Sequence, residues 1–251
     1  MIPAFDVHGP EGAPLVVLGS SLGTTRGMWD PQLDRLATRF RVVRYDHRGH
    51  GGSPVPPGPY RLEDLAGDVV DLLDHLGAPR AHHVGLSLGG VVALWLAAYA
   101  PERVDRLCVL CTAPSFPPAS AWTERAATVR AHGTGAIVDT VLGRWFTPAF
   151  AASGAARAVR EAFLAQDREG YASCCEALAA TDLTHALGRI TAATLAVAGA
   201  EDPVSPPERL AAIAGAVGGE GRVAVVAGAA HLANVEQAEA VTALLLEHLE
   251  A

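Results

Sequence analysis

His82-His83-Val84-Gly85-Leu86-Ser87-Leu88-Gly89-Gly90-Val91-Val92 is the stretch on which the reading of this chain turns. Residues 85–89 spell G-x-S-x-G. Residues 81–85 read as a short buried strand and 88–99 as an almost wholly apolar helix, so Ser87 falls at a strand-to-helix junction. A G-x-S-x-G serine in that position sits on a sharp, strained turn with its hydroxyl raised above the sheet. Glycines two residues before and two after let strand and helix approach where a Cβ would clash. The bland alternative is a Gly/Ser turn without chemistry, and the strand–helix context weighs against it.

Outward from this junction the chain alternates short apolar runs with helical patterns, the mark of an α/β fold with a mostly parallel sheet and helices on both faces. Runs at 15–18, 40–45, 104–111, 193–198 and 222–226 predict strands. Helices are predicted at 30–38, with Pro31 at the first position, and at 62–76, 207–217 and 235–250. Strand signals vanish from 114 to about 189, where helical stretches at 121–131, 137–145, 155–165 and 171–180 take over. A segment of this length is not a structureless loop. It is expected to form a small helical cap, residues 114–189, inserted after the sixth strand and dividing the α/β core into 1–113 and 190–251.

Composition bounds the partners. A chain of 251 residues, half of them hydrophobic and 18% charged, is long enough for one sizeable core. A net charge of −8 argues against nucleic acid, which needs a basic face. No apolar run approaches the ~18 residues of a membrane span, and the first residues lack the basic region and apolar core of a secretory signal. A cytoplasmic location is therefore expected. Four cysteines are too few for a disulfide framework. Cys108 and Cys111 have C-x-x-C spacing but lie in an apolar run, and Cys174 and Cys175 are adjacent, so all four read as small buried hydrophobes. No H-E-x-x-H or comparable spacing occurs, and no metal is expected.

A serine hydroxyl needs a base, usually a histidine oriented by a carboxylate, and after such an elbow the order along the chain is Ser, then Asp or Glu, then His. Asp202 follows the predicted strand 193–198, and His231 follows 222–226. Both lie where open α/β sheets gather their ligands, at the C-terminal ends of strands. Taken singly, Asp202 could lead a turn and His231 start a helix; their order after Ser87 makes them the candidate acid and base, with Glu201 the rival to Asp202. Donors for a developing oxyanion are expected from the backbone N–H of Leu88 and from the 20–23 turn, Leu22 first and Ser21 as the alternative. His47 and His50, in the glycine-rich turn 46–53, read as structural. One of His82 and His83 reads as core, and His8, His75, His132, His185 and His248 as surface or packing residues.

The elbow resembles the α/β-hydrolase superfamily when taken with three other segments: Asp46-His47-Arg48-Gly49-His50-Gly51-Gly52-Ser53, Gly199-Ala200-Glu201-Asp202-Pro203 and His231-Leu232-Ala233-Asn234-Val235-Glu236-Gln237. Within that superfamily the chain is similar to the 3-oxoadipate enol-lactonases. The features that narrow it are Ser21-Leu22-Gly23-Thr24 with Met28-Trp29-Asp30-Pro31-Gln32, the proline-rich stretch 54–60, Arg144-Trp145-Phe146-Thr147-Pro148 and Gly170-Tyr171-Ala172-Ser173-Cys174-Cys175. Leu88 stands where that family more often has methionine, a change that leaves the backbone donor intact.

The resemblance implies an α/β-hydrolase fold and a cofactor-free carboxylic-ester hydrolase that opens an anionic enol-lactone to 3-oxoadipate in the degradation of aromatic compounds, with Ser87 as nucleophile, His231 as base and Asp202 as its orienter. An anionic substrate on an acidic protein requires a local cation. Arg144 is the first candidate and Arg26 the second, with Ser21, Trp122 and Trp145 as further substrate contacts. The rivals are a general carboxylesterase or C–C bond hydrolase with the same triad, and a non-catalytic ligand-binding protein on the same fold. A haloalkane dehalogenase is disfavoured, because Ser87 occupies the place of its carboxylate nucleophile.

Overall fold

Strand β4 (Ala81–Leu86) runs straight into helix α3 (Leu88–Tyr99), and the sheet is built outward from this pair. The computed structural model describes residues 1–251. Before the pair come β1 (Phe5–His8), β2 (Leu15–Gly19), α1 (Asp30–Leu36), β3 (Arg41–Tyr45) and α2 (Leu62–His75), and after it β5 (Val104–Leu110). Five α-helices then intervene: α4 (Ala119–His132), α5 (Val138–Trp145), α6 (Pro148–Ala152), α7 (Arg157–Leu164) and α8 (Arg168–Ala179). The chain closes with β6 (Ala193–Gly199), α9 (Pro207–Ala216), β7 (Gly221–Val226), α10 (Ala233–Glu236) and α11 (Ala238–Glu250).

The seven strands form one sheet in the order β1-β3-β2-β4-β5-β6-β7. All neighbours are parallel except β1, which runs antiparallel to β3 with Phe5 opposite Tyr45. In β2, β5 and β6 at least four consecutive residues are buried, so both faces of the sheet are covered at its centre. Ten residues of α3 are buried, which suits a helix that is apolar all round. A single cluster of 68 buried residues joins the sheet to the helical segment, since Val129, Trp145, Phe163 and Tyr171 belong to it together with Val17 and Leu110.

Several elements differ from the sequence reading. The helical segment follows the fifth strand, not the sixth, because the residues before β2 supply only the single strand β1. That strand is itself absent from the sequence reading: Phe5-Asp6-Val7-His8 is four residues at a sheet edge, all only partly buried, and carries no apolar run. Helix α6 is an addition too, started by Pro148 and capped by Thr147, whose hydroxyl accepts the Phe150 N–H. Helix α8 begins three residues before the predicted start because Asp167 caps the N–H groups of Glu169 and Gly170. The predicted last helix is two, broken at Gln237 (φ −125°, ψ 56°). Strand β5 stops before Cys111, whose φ of +45° leaves the extended region.

All four cysteines are buried and unpaired. Burial raises every one of these thiols, Cys175 to about 12. No helix is long and apolar enough to cross a membrane.

Five histidines are buried: His47, His50, His83, His231 and His248. His83 on β4 bonds the Arg103 carbonyl at 3.3 Å, while His47 and His50 lie in the turn after β3. Burial is the main cause that pushes His47 down to about 3 and His50 and His83 down to about 4. These side chains stay neutral in the fold, whereas the unfolded chain takes up a proton on each below about pH 6.5. Their contribution is therefore complete above pH 6.5 and is lost as pH falls from there towards 4. Each should cost about 2 kcal/mol at pH 5 relative to pH 7, at about 1.4 kcal/mol per pH unit. Thermal melts at pH 7, 6 and 5 should show Tm falling steadily, with a shallower fall in His83→Asn. A Tm that is flat over this range would contradict the assignment.

Candidate active site

Ser87 stands at the elbow with φ +54° and ψ −113°, one of only two non-glycine residues at positive φ. Such a conformation costs on the order of 1–3 kcal/mol and persists only where the surroundings fix it. Here the Ser87 N–H donates to the Leu110 carbonyl (2.9 Å), and its own carbonyl accepts from Thr112 Oγ1 (2.8 Å) and the Val91 N–H (3.0 Å). The glycines flanking it are sterically required. A Cβ on Gly85 would lie 2.2 Å from the Gly89 carbonyl oxygen.

Asp202 and His231 meet above the ends of β6 and β7. His231 Nδ1 lies 2.8 Å from Asp202 Oδ2, and the two side chains are nearly inaccessible to solvent. Because a carboxylate only accepts, Nδ1 carries the hydrogen and Nε2 keeps its lone pair free. Asp202 Oδ1 accepts the N–H groups of Val204 (2.8 Å) and Ser205 (3.1 Å), which fixes the carboxylate in its turn. Burial acts to raise the Asp202 carboxyl, but the charge and hydrogen bond of His231 and these two N–H groups outweigh it, leaving the carboxyl below its usual range. The rival Glu201 is exposed. Around His231, Glu236 accepts the Ala230 and Thr147 N–H groups, and the Leu232 N–H donates to the Trp145 carbonyl.

The loop after β2 is held from three sides. The Ser21 N–H is taken by Met28 Sδ (3.2 Å), which also accepts from Thr24 Oγ1. The Gly23 N–H donates to His50 Nε2 (3.0 Å), so His50 carries its hydrogen on Nδ1, facing the Arg48 carbonyl at 3.2 Å. His47 Nε2 donates to the Ser20 carbonyl at 2.9 Å. The Leu22 N–H has no partner within the protein, and the Leu88 N–H is one of the first four of α3, which have no intrahelical acceptor. Of Ser21 and Leu22, only Leu22 therefore has a donor to spare.

These elements wall one cavity of about 220 Å³, lined by Ser21, Leu22, Ser87 and His231 below and by Trp122, Arg125, Arg144 and Trp145 above, among others. Ser87 and His231 share this wall without a hydrogen bond between Oγ and Nε2; such contacts commonly tighten only when substrate binds. Trp122 is fixed by its Nε1, which donates to the Phe116 carbonyl (2.8 Å), and Trp145 packs edge-on against Phe163. Arg144 faces the cavity from an exposed position. Arg26 does not line it: its guanidinium is taken up by Asp6 (3.0 Å) and Asp46, so the expectation that it contacts substrate is corrected. Conversely, Arg125 lines the cavity and was not singled out from the sequence. Its one signal is i,i+3 spacing from Trp122 on one helix face. No group of three or more His, Cys, Asp or Glu side chains is arranged to hold a metal.

Known proteins share this fold. Residues 14–138 match the alpha/beta hydrolase fold family. A 3-oxoadipate enol-lactonase of Acinetobacter baylyi is 42% identical over 80% of this chain and 76% of its own length. The solved enol-lactonase of Burkholderia xenovorans superposes with a TM-score of 0.96 at 38% identity, over 99% of this chain and 96% of that one. A putative carbamate hydrolase, RutD of Variovorax paradoxus, is 37% identical over 80% of this chain and 79% of its own. By identity over most of its length, the chain belongs to the α/β-hydrolase family, with 3-oxoadipate enol-lactonases among its relatives.

Proposed function

We propose that the protein is a serine hydrolase that opens 3-oxoadipate enol-lactone to 3-oxoadipate, with Ser87, His231 and Asp202 as its catalytic residues. The observation that carries this reading is the composition of the cavity. A strained serine and a histidine paired with a buried aspartate face a space whose only permanently charged side chains are arginines, and the relative with 42% identity is an enol-lactonase.

In this reading Ser87 Oγ attacks the lactone carbonyl while His231 Nε2 takes its proton. The tetrahedral oxyanion lies between the Leu22 and Leu88 N–H groups. The ring C–O bond then breaks, His231 returns the proton to the departing enol oxygen, and the enol relaxes to the ketone. Water attacks the acyl-enzyme with His231 again as base, which frees the second carboxylate and restores Ser87. Asp202 keeps the imidazole in the tautomer both steps need, and the sequence uses no cofactor. Residues 114–189 act as a cap that contributes Trp122, Arg125, Arg144 and Trp145 to the cavity roof. A cytoplasmic location fits four buried thiols left unpaired.

Lactone hydrolysis should fall by roughly four to six orders of magnitude in Ser87→Ala and by about four in Asp202→Asn. Wild-type turnover of the lactone should far exceed that of p-nitrophenyl acetate. Ester turnover without lactone turnover would keep the triad and overturn the substrate.

The hydrogen bond from Gly23 to His50 carries a separate expectation. His50→Phe removes the acceptor that holds the loop bearing Leu22, so kcat should drop roughly 10- to 100-fold with KM changed little, below the loss from removing a donor outright. His50→Gln offers an amide oxygen in the same place and should recover most of that loss. Equal damage in both variants would show that the hydrogen bond does not position the donor.

A further inference from the structure

Two arginines of helix α4 are treated in opposite ways by the helix packed against it. Arg130 is saturated: its guanidinium bonds both Glu169 and Glu176 of α8. Arg125 is given no carboxylate at all. Its guanidinium carbon lies 5.2 Å from the Trp122 ring centre and 5.4 Å from that of Tyr171, and its Nε is buried without a hydrogen-bond partner. Trp122 is itself locked by its bond to the Phe116 carbonyl.

A buried guanidinium N–H without an acceptor is costly, and an anion in the cavity would supply one. The cavity this side chain lines contains no Asp or Glu, so no carboxylate of the protein competes for the fork. Aromatic rings orient the planar fork, and that plane matches a carboxylate, which accepts two parallel N–H bonds. Arg144 reaches the same cavity but is exposed, where charge is hydrated and screened and contributes little to binding.

We propose that Arg125 is the specificity-determining residue of this site: it anchors a carboxylate that the substrate carries away from its scissile carbonyl, while Arg144 only attracts the anion to the mouth. The inference rests on the reading of the Ser87 cavity as a hydrolytic site and names what selects its substrate.

The test compares wild type, Arg125→Gln, Arg125→Lys and Arg144→Ala on three substrates: 3-oxoadipate enol-lactone, mono-p-nitrophenyl succinate and p-nitrophenyl butyrate. The two esters are near-isosteres that differ by one carboxylate. Arg125→Gln keeps a planar amide on the stack, and circular dichroism and Tm confirm that each variant folds. Arg125→Gln should raise KM for the lactone roughly 10- to 100-fold with a smaller change in kcat, the range for a charge-assisted hydrogen bond to an ion. It should also erase a preference for the succinate ester over the butyrate ester, with Arg125→Lys intermediate and Arg144→Ala milder than either. Unchanged lactone KM in Arg125→Gln, an equal loss on both esters, or a larger loss in Arg144→Ala would overturn the proposal. If the wild type does not open the lactone, the ester pair still decides. A succinate preference that depends on Arg125 supports the anchor while the enol-lactone reading fails, and no preference in the wild type overturns the anchor.

Discussion

The contact on which the molecule depends is backbone against backbone, where α3 crosses the ends of β2 and β4. A Cβ on Gly89 would lie 2.3 Å from the Gly19 carbonyl oxygen, and one on Gly85 would lie 2.2 Å from that of Gly89. With no side chains between them, the Gly89 N–H reaches the Ser20 carbonyl at 3.0 Å. One close approach therefore sets the turn that strains Ser87 and ties the start of α3 to the loop that carries Leu22. Inserting even one methyl group would push the helix off the sheet, at a cost of about 1–3 kcal/mol for overpacking, and would move both N–H groups away from the serine.

From that contact the site grows by hydrogen bonds between segments distant in sequence. His47 and His50 lock the loop after β2, and both are kept neutral by burial. Asn234 donates to the Met28 carbonyl, and Gln32 donates to the Asn234 carbonyl, which joins the turn after His231 to the same loop. The helical segment is tied in through Glu236, which accepts from Thr147, and through the Leu232 N–H on the Trp145 carbonyl. Cavity roof and cavity floor are thus joined at the histidine turn and in one apolar cluster.

The parts legible in the sequence are those whose geometry is local. G-x-S-x-G at a strand-to-helix junction specifies its own turn, and the apolar runs of β2, β4, β5 and β6 specify buried parallel strands without reference to distant residues. The sequence names Asp202 ahead of Glu201 by its place in the Ser–Asp–His order, and the structure adds that the turn faces Asp202 inward against His231 and leaves Glu201 exposed. Arg26 was misread because its partners Asp6 and Asp46 lie 20 residues away on either side and are brought to it by β1 and β3. Arg125 carries no motif, and only the packing of α4 on α8 shows that its neighbour Arg130 takes the available glutamates. Strand β1 escaped because four half-buried residues at an edge bear no periodic signal.

The most direct test of the account is whether the native fold makes Ser87 a nucleophile. Treatment of native and of denatured protein with a fluorophosphonate, followed by peptide mapping, reads this without assuming any substrate. The account predicts stoichiometric modification confined to Ser87 in the native protein, none after denaturation, and none in native His231→Ala. A native protein that stays unmodified, or is modified at another serine, would contradict it.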